Sequence, residues 1–477
     1  MDAGKERADV VTSAEDLIRT DYVDWRHLRR SWGGQTDVLE GVESAMEGKL
    51  PAMNSSLAGD VLILPSFPMW QLLVILGMIT WIYLARISMI TLRVRSILQP
   101  FVSKHVENSV PFIVWLQGSQ SQLLDAVLAS LSYCVSVEFY TAFLPLLFWS
   151  GHSRLARNMT LLMALCIYLG NIVKDVVSAP RPPTPPVRKL LAATFEKDVA
   201  QEYGLPSSHT INTICLSGYL LHYIGSHGGE ANRTLFWVSA SVLVLVITGV
   251  VYGRMYLGMH SPLDLLAGGI MSLGILSFWL IVEEYVETFV AYGENVTSFW
   301  ATIAVLLLFA YPSGEHRTPS FEFHTAFNGV ALGVVCGVHR TFHLYHDGRV
   351  KLLSLTSAPG AAALLLRLLV GLPVCLAVKG ASKALAIRIL PSLCSLLGVE
   401  IQSSGCVQAA HVQEMAVKLK KNNLERTSKK AGFLPRVLQI LEDEVLDVDT
   451  GIRFIQYAGL GWSVVELAPS IYRSLNL

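Results

Sequence analysis

Charge is scarce in this chain. Only 16% of its 477 residues are Asp, Glu, Lys or Arg, and 37 basic side chains cancel 37 acidic ones to a formal net charge of zero. Such a chain offers no global field to nucleic acid or to a strongly acidic partner, and neither is expected to bind. Regularly spaced cysteines are lacking too. There are seven cysteines with no CxxC and no metal framework, and Cys134, Cys166, Cys215, Cys336, Cys375 and Cys394 fall in or beside apolar runs, so buried free thiols are expected. The N-terminus carries no basic segment leading into a short apolar core, so no cleavable signal peptide is expected.

Hydrophobicity is plentiful: 52% of the residues are apolar and mean hydropathy is +0.46. That composition predicts an integral, polytopic membrane protein. Apolar runs lie at Met69 to about Ile90, 122–149, 159–178, 208–224, 235–252 and 263–282. Each approximates the ~20 residues that a helix needs to cross ~30 Å of hydrocarbon. Further runs at 298–311, 326–338, 360–378 and 384–399 are shorter or carry a charge such as Arg367, and predict three or four more spans or re-entrant pieces. The expected fold is all-α, a polytopic membrane helical bundle with a six-helix core over 69–283 and about three or four additional C-terminal spans over 284–400. Residues 1–60 show no sustained period and read as a disordered extension. Residues 401–477 read as a polar tail with a basic stretch, Lys418 to Lys430, and a terminal apolar patch, Phe454 to Ile471, that packs on the membrane or on the bundle.

Three polar islands interrupt the apolar sequence between Lys174 and Asp264. They are Lys174-Asp-Val-Val-Ser-Ala-Pro-Arg181-Pro182, Pro206-Ser207-Ser208-His209-Thr210, and Gly253-Arg254-Met-Tyr-Leu-Gly-Met-His260-Ser-Pro-Leu-Asp264. Phosphoryl transfer needs cations and donors around the equatorial oxygens of the transferred group, because its catalysis is mostly positioning and electrostatics. Lys174, Arg181 and Arg254 can supply those cations, and the arginine fork suits phosphate especially well. Taken singly, each also reads as a charge snorkelling at a helix end. Ser207 or Ser208 is a natural N-cap, and a helix starting there would turn free amides toward an anion. Capping explains the serines and leaves His209 without a reason.

His260 and Asp264 stand four apart, so within a helical turn the carboxylate could take the imidazole Nδ1 proton and leave Nε2 as a nucleophile. Ser261-Pro262-Leu263-Asp264 equally reads as a capping box with proline in the first turn. Both readings hold if the helix begins near Met259. His209, His260 and Asp264 could also ligate zinc. The three cations gathered beside them argue against a divalent ion, so no metal is expected.

Together, Lys-x6-Arg-Pro, Pro-Ser-Ser-His and Arg-x5-His-x3-Asp resemble the three signature motifs of the type 2 phosphatidic acid phosphatase superfamily. The Pro-Ser-Ser-His form and the apolar runs beyond six resemble the sphingosine-1-phosphate phosphatase branch, most of all its plant members, from about Met69 to the C-terminus. One departure is Gly253, where the family usually has serine, which removes one hydroxyl donor. The resemblance implies that His260 is a nucleophile oriented by Asp264, and that His209 protonates the leaving alkoxide and later activates water. It implies that Lys174, Arg181, Arg254, Ser207 and the Ser208 amide hold the phosphoryl oxygens, with no cofactor. The implied reaction is metal-independent hydrolysis of a sphingoid 1-phosphate, a membrane lipid, in the endoplasmic reticulum. A phosphatidate or polyprenyl diphosphate phosphatase would share the motifs, and a transporter of a phosphorylated solute could use the same cations. Arg154, Arg157 and Arg233 in short loops point to the cytosol and so place the islands on the lumenal side, although Arg181, Arg188, Lys189 and Lys197 in the 179–206 loop blur that bias.

Overall fold

A computed structural model describes residues 68–119, 121–190, 202–227, 233–312, 314–315, 318–346, 357–397 and 447–477. The N-terminal extension and the basic stretch of the tail lie outside the described residues. The chain folds as α-helices, with no strand among the described residues: α1 Met69–Ser88, α2 Ile90–Gln117, α3 Gln122–Tyr133, α4 Val137–Trp149, α5 Ser153–Val177 and α6 Ser208–His227. These are followed by α7 Arg233–Tyr256, α8 Pro262–Tyr292, α9 Val296–Ala310, α10 Ser320–Thr341, α11 Ala358–Leu397, α12 Val448–Trp462 and α13 Ala468–Ser474. Wider π-type turns extend α10 over Phe342–His346 and join α12 to α13 over Ser463–Leu467.

Among the described residues six helices are long and apolar enough to cross a bilayer: α1, α5, α7, α8, α10 with its extension, and α11. The chain is thus an all-α, polytopic membrane protein. α1 and α7 carry rows of exposed apolar side chains, Leu73, Leu76 and Trp81 on one and Trp237, Val242 and Leu245 on the other, as a lipid-facing helix must.

Four of the expected spans take a different form. The 122–149 run breaks at Cys134-Val135-Ser136, where the Ser136 hydroxyl accepts the Phe139 N–H at 3.3 Å and starts α4. The resulting helices of 12 and 13 residues are each only ~20 Å long, too short to span. Cys134, at that break, is exposed rather than buried, while Cys166, Cys215 and Cys375 are buried and all the described cysteines are free. α6 is long enough, yet it is a polar helix packed by α5, α7 and α8, with Thr210, Asn212, Thr213 and Ser217 buried, so it needs no lipid-compatible surface. The 360–378 and 384–399 runs are one helix, α11. The polar stretch between them does not end it because α12 supplies partners: Lys379 Nζ sits 4.7 Å over the Tyr457 ring, and Ser382 packs on Gly459.

The terminal apolar patch packs on the bundle. α12 lies along a stripe of Gly329, Gly333 and Gly337 on α10, so close that a Cβ at Gly333 would stand 2.0 Å from the Ala458 carbonyl. Residues far apart in sequence thus complete the core, in which Met163, Cys166, Ile211, Cys215, Ile275, Val334, Val338 and Val465 are buried together. At the end of α5 and α8 remote from the polar islands, Arg157 pairs with Glu287 and Arg154 with Glu284.

α2 fills the interval between the first two apolar runs. It is a continuous 28-residue helix that buttresses the opposite end of the bundle. Arg95 donates from Nη2 to the Asp175 carbonyl at 2.8 Å, Gln99 Nε2 to the Ser178 carbonyl at 2.9 Å, and Gln117 Nε2 to the Tyr256 carbonyl at 2.8 Å.

Candidate active site

The three islands meet at one end of the bundle because each marks a helix end. The first closes α5, the second opens α6, and the third runs from the last turn of α7 to the first of α8. Lys174, Arg181, Ser207, His209, Arg254, His260 and Asp264 are all buried there, and Ser208 is the first residue of α6.

Backbone contacts stitch the islands together. Gly204 N donates to the Ala179 carbonyl at 2.9 Å, which ties the first island to the approach of the second, and Ser207 N donates to the Asp264 carbonyl at 3.1 Å, which ties the second to the third. α7 turns off at Gly258, whose φ of +72° puts it in the left-handed region. The Met259 and His260 amides then donate back to the Arg254 carbonyl at 3.0 and 3.3 Å. Arg254 and His260 are thereby held on one tight turn.

Arg181 is the hub. Its Nε donates to the Glu202 carbonyl at 2.8 Å, and its Nη1 donates to the Met259 carbonyl at 2.8 Å and to His260 Nε2 at 3.2 Å. An arginine cannot accept, so the His260 Nε2 lone pair faces it and the ring proton sits on Nδ1. Burial first, and then the charges of Arg181, Arg254 and Lys174, hold His260 well below the usual histidine range, so its imidazole is neutral. Arg254, Lys174 and Arg181 also lie within electrostatic reach of His209.

The helical pairing expected for His260 and Asp264 takes a corrected form. α8 begins at Pro262, not near Met259, because the proline at the first helical position leaves Ser261 as N-cap and His260 outside the helix. The capping box forms in full: Asp264 N donates to Ser261 Oγ at 3.3 Å, and Ser261 N donates to Asp264 Oδ2 at 2.7 Å. That oxygen lies 3.7 Å from His260 Nδ1, too far for a hydrogen bond and near enough for a strong charge interaction. Among the described residues His260 Nδ1, Asp264 Oδ1 and Ser207 Oγ have no hydrogen-bond partner. Ser207 occupies the cap position through its carbonyl, which accepts from Ile211 N at 3.1 Å, so capping does not account for its buried hydroxyl.

The structure brings here one carboxylate that none of the three islands contains. Glu202, in the loop leading to the second island, is buried and forms an ion pair with Lys174. A lone acidic residue in a mixed-charge loop carries no signal of its own. Also missed was the brace behind the third island, where Arg188 binds Asp125 through both guanidinium nitrogens at 3.1 and 3.2 Å and the Tyr256 hydroxyl donates to Asp125 at 2.6 Å. On the other side, the Tyr311 hydroxyl donates to Asp175 Oδ2, beside Lys174, and Thr318 Oγ1 donates to Asp175 Oδ1 at 3.1 Å. No three His, Cys, Asp or Glu side chains cluster as a metal set among the described residues.

A groove of about 490 Å³ opens beside this cluster between α6, α7 and α8. Ile214, Val251, Met255, Leu265, Ile270 and Leu273 line it, and Thr210 and Pro262 bring it next to His209 and His260.

Three cations and two histidines gathered at one end of a membrane bundle, with an apolar groove near them, suit an integral-membrane phosphatase. Comparison with known proteins agrees, since residues 155–287 match the PAP2 superfamily. The chain belongs to that superfamily of phosphatases. It is similar to Lipid phosphate phosphatase delta of Arabidopsis thaliana, with 46% identity over 408 residues, 86% of this chain and 97% of that protein. It is also similar to a dihydrosphingosine 1-phosphate phosphatase of Schizosaccharomyces pombe, at 24% over 340 residues, 70% of this chain and 80% of that one. Sphingosine-1-phosphate phosphatase 2 of Homo sapiens matches at 29% over 203 residues, 42% of this chain and 48% of the relative. No solved structure matches the chain.

Proposed function

We propose that the protein hydrolyses sphingoid long-chain base 1-phosphates to the free base and orthophosphate, without a metal, through a phosphohistidine on His260. The observation that carries this reading is the neutral His260 imidazole with Nε2 facing Arg181 at 3.2 Å, inside the Lys174, Arg181 and Arg254 cluster. The phosphate enters that cluster and takes over the guanidinium donors. His260 Nε2 attacks phosphorus, the ester P–O bond breaks, and the departing alkoxide receives a proton from His209. The negative phosphate offsets the surrounding cations and lets His209 carry that proton. Positive charge arising on His260 is stabilised by Asp264. Water then gives a proton to His209 and attacks phosphorus, the N–P bond breaks, and orthophosphate leaves. Ser207 Oγ and the first-turn amides of α6 add donors.

The sphingoid substrate class draws support from the relatives acting on dihydrosphingosine 1-phosphate and sphingosine-1-phosphate, and from a groove shaped for an alkyl tail. We assign residues 69–283 to the phosphatase core, 284–400 to additional spans and 401–477 to a C-terminal segment whose terminal apolar patch packs on the bundle. We place the protein in the endoplasmic reticulum membrane with the site lumenal; protease cleavage of a tagged 179–206 loop in sealed, cytosol-side-out vesicles would reverse that orientation. The test of function is phosphate release, with EDTA present, from dihydrosphingosine 1-phosphate and phosphatidate by wild-type and His260→Ala membranes. Release that favours the sphingoid lipid, survives the chelator and vanishes in the variant is expected, together with acid-labile, base-stable ³²P on the wild-type chain alone. Undiminished release by His260→Ala would refute the mechanism.

A further inference from the structure

We propose that Glu202 recognises the ammonium group of an aminoalkyl phosphate and so sets the preference for sphingoid 1-phosphates over lipid phosphates without an amine. The inference rests on the phosphatase reading above. A carboxylate in a phosphate cradle opposes the binding of the phosphate, so its presence calls for a cationic partner. Glu202 is at the heart of the cradle: its side chain is 5% exposed, its carboxylate pairs with Lys174, and its carbonyl accepts from Arg181, which in turn reaches His260.

Exchange of partners identifies that cation. When phosphate draws Lys174 onto its oxygens, Glu202 becomes a buried carboxylate short of its cation, a state that is strongly unfavourable. In a sphingoid 1-phosphate the amine sits on the carbon next to the one that bears the phosphate ester. It therefore arrives beside Lys174 and can take its place on Glu202.

The experiment compares dihydrosphingosine 1-phosphate with octadecyl phosphate, which has the same tail length and phosphate but no amine, on wild-type and Glu202→Gln protein in mixed micelles. Wild type is expected to favour the amine-bearing lipid, and E202Q to lose about 10- to 100-fold in kcat/KM on it, the scale of a charge-assisted hydrogen bond. Most of that loss should appear in KM, and it should exceed any loss on octadecyl phosphate, so that the preference for the amine-bearing lipid shrinks. Equal slowing of both substrates would overturn the proposal, because it would mean that Glu202 acts only by positioning Lys174. So would a wild-type enzyme indifferent to the amine. If E202Q cleaves neither lipid, Glu202→Asp decides, since the retained charge must retain the amine preference. No release from any lipid by the wild type would instead sink the phosphatase reading itself.

Discussion

In the proposed mechanism Asp264 does two jobs, and Asp264→Asn separates them. Its Oδ2 accepts the Ser261 N–H at 2.7 Å and lies 3.7 Å from His260 Nδ1. An amide oxygen can keep the first contact, so the start of α8 should survive. The second depends on charge. At an effective dielectric of about 20, opposite unit charges at that separation attract by about 4 kcal/mol, felt only once His260 becomes cationic on attacking phosphorus. With part of this lost to relaxation, kcat should fall about 10²- to 10³-fold, at about 1.4 kcal/mol per factor of ten. Asp264→Ala should lose the rate and also the cap, a further destabilisation of about 0.5–2 kcal/mol. Phosphate release by the purified variants, set beside their thermal unfolding, reads both effects. An Asn variant within about fivefold of wild type, or one destabilised as much as Ala, would refute this division of labour.

Arg181→Lys keeps the charge but cannot serve Glu202, Met259 and His260 together, and kcat/KM should drop at least about 100-fold; near-normal turnover would show that charge alone suffices. Gly258→Ala would place a Cβ 2.4 Å from the Arg188 carbonyl at a φ of +72°. It should destabilise the fold by more than about 2 kcal/mol and lower activity with it, and a variant as stable as wild type in denaturation would contradict that turn. Because folded His260 refuses a proton that the unfolded residue takes at about 6.5, its contribution is complete above that pH and is lost as the pH falls. Between pH 6.5 and 5, in phosphate-free buffer, His260→Gln should flatten the decline in stability by up to about 1.4 kcal/mol per pH unit. Identical slopes for the two proteins would argue against a buried neutral His260.

The spacing of apolar runs and polar islands announced an all-α membrane protein and the residues that its fold gathers at one end of the bundle. Lys174, Arg181, His209, Arg254, His260 and Asp264 could be singled out because a buried cation or histidine beside an apolar run is costly unless it has work to do. Local rules also held where neighbours in sequence decide, as at Ser261 and Asp264, whose capping box is written in four consecutive residues. They failed where distant partners decide. Glu202 gained its meaning only by meeting Lys174, 28 residues away. α6 proved too polar to face lipid because α5, α7 and α8 surround it, and α11 stayed whole across Lys379 because Tyr457 of α12 receives the charge. His260 fell outside the helix because Pro262 set its start, which left the expected hydrogen bond with Asp264 unmade at 3.7 Å. Helix periodicity and capping act over a few residues and can be read from the chain alone. Partner choice among buried charges is a long-range electrostatic property of the packed bundle, and only the tertiary structure decides it.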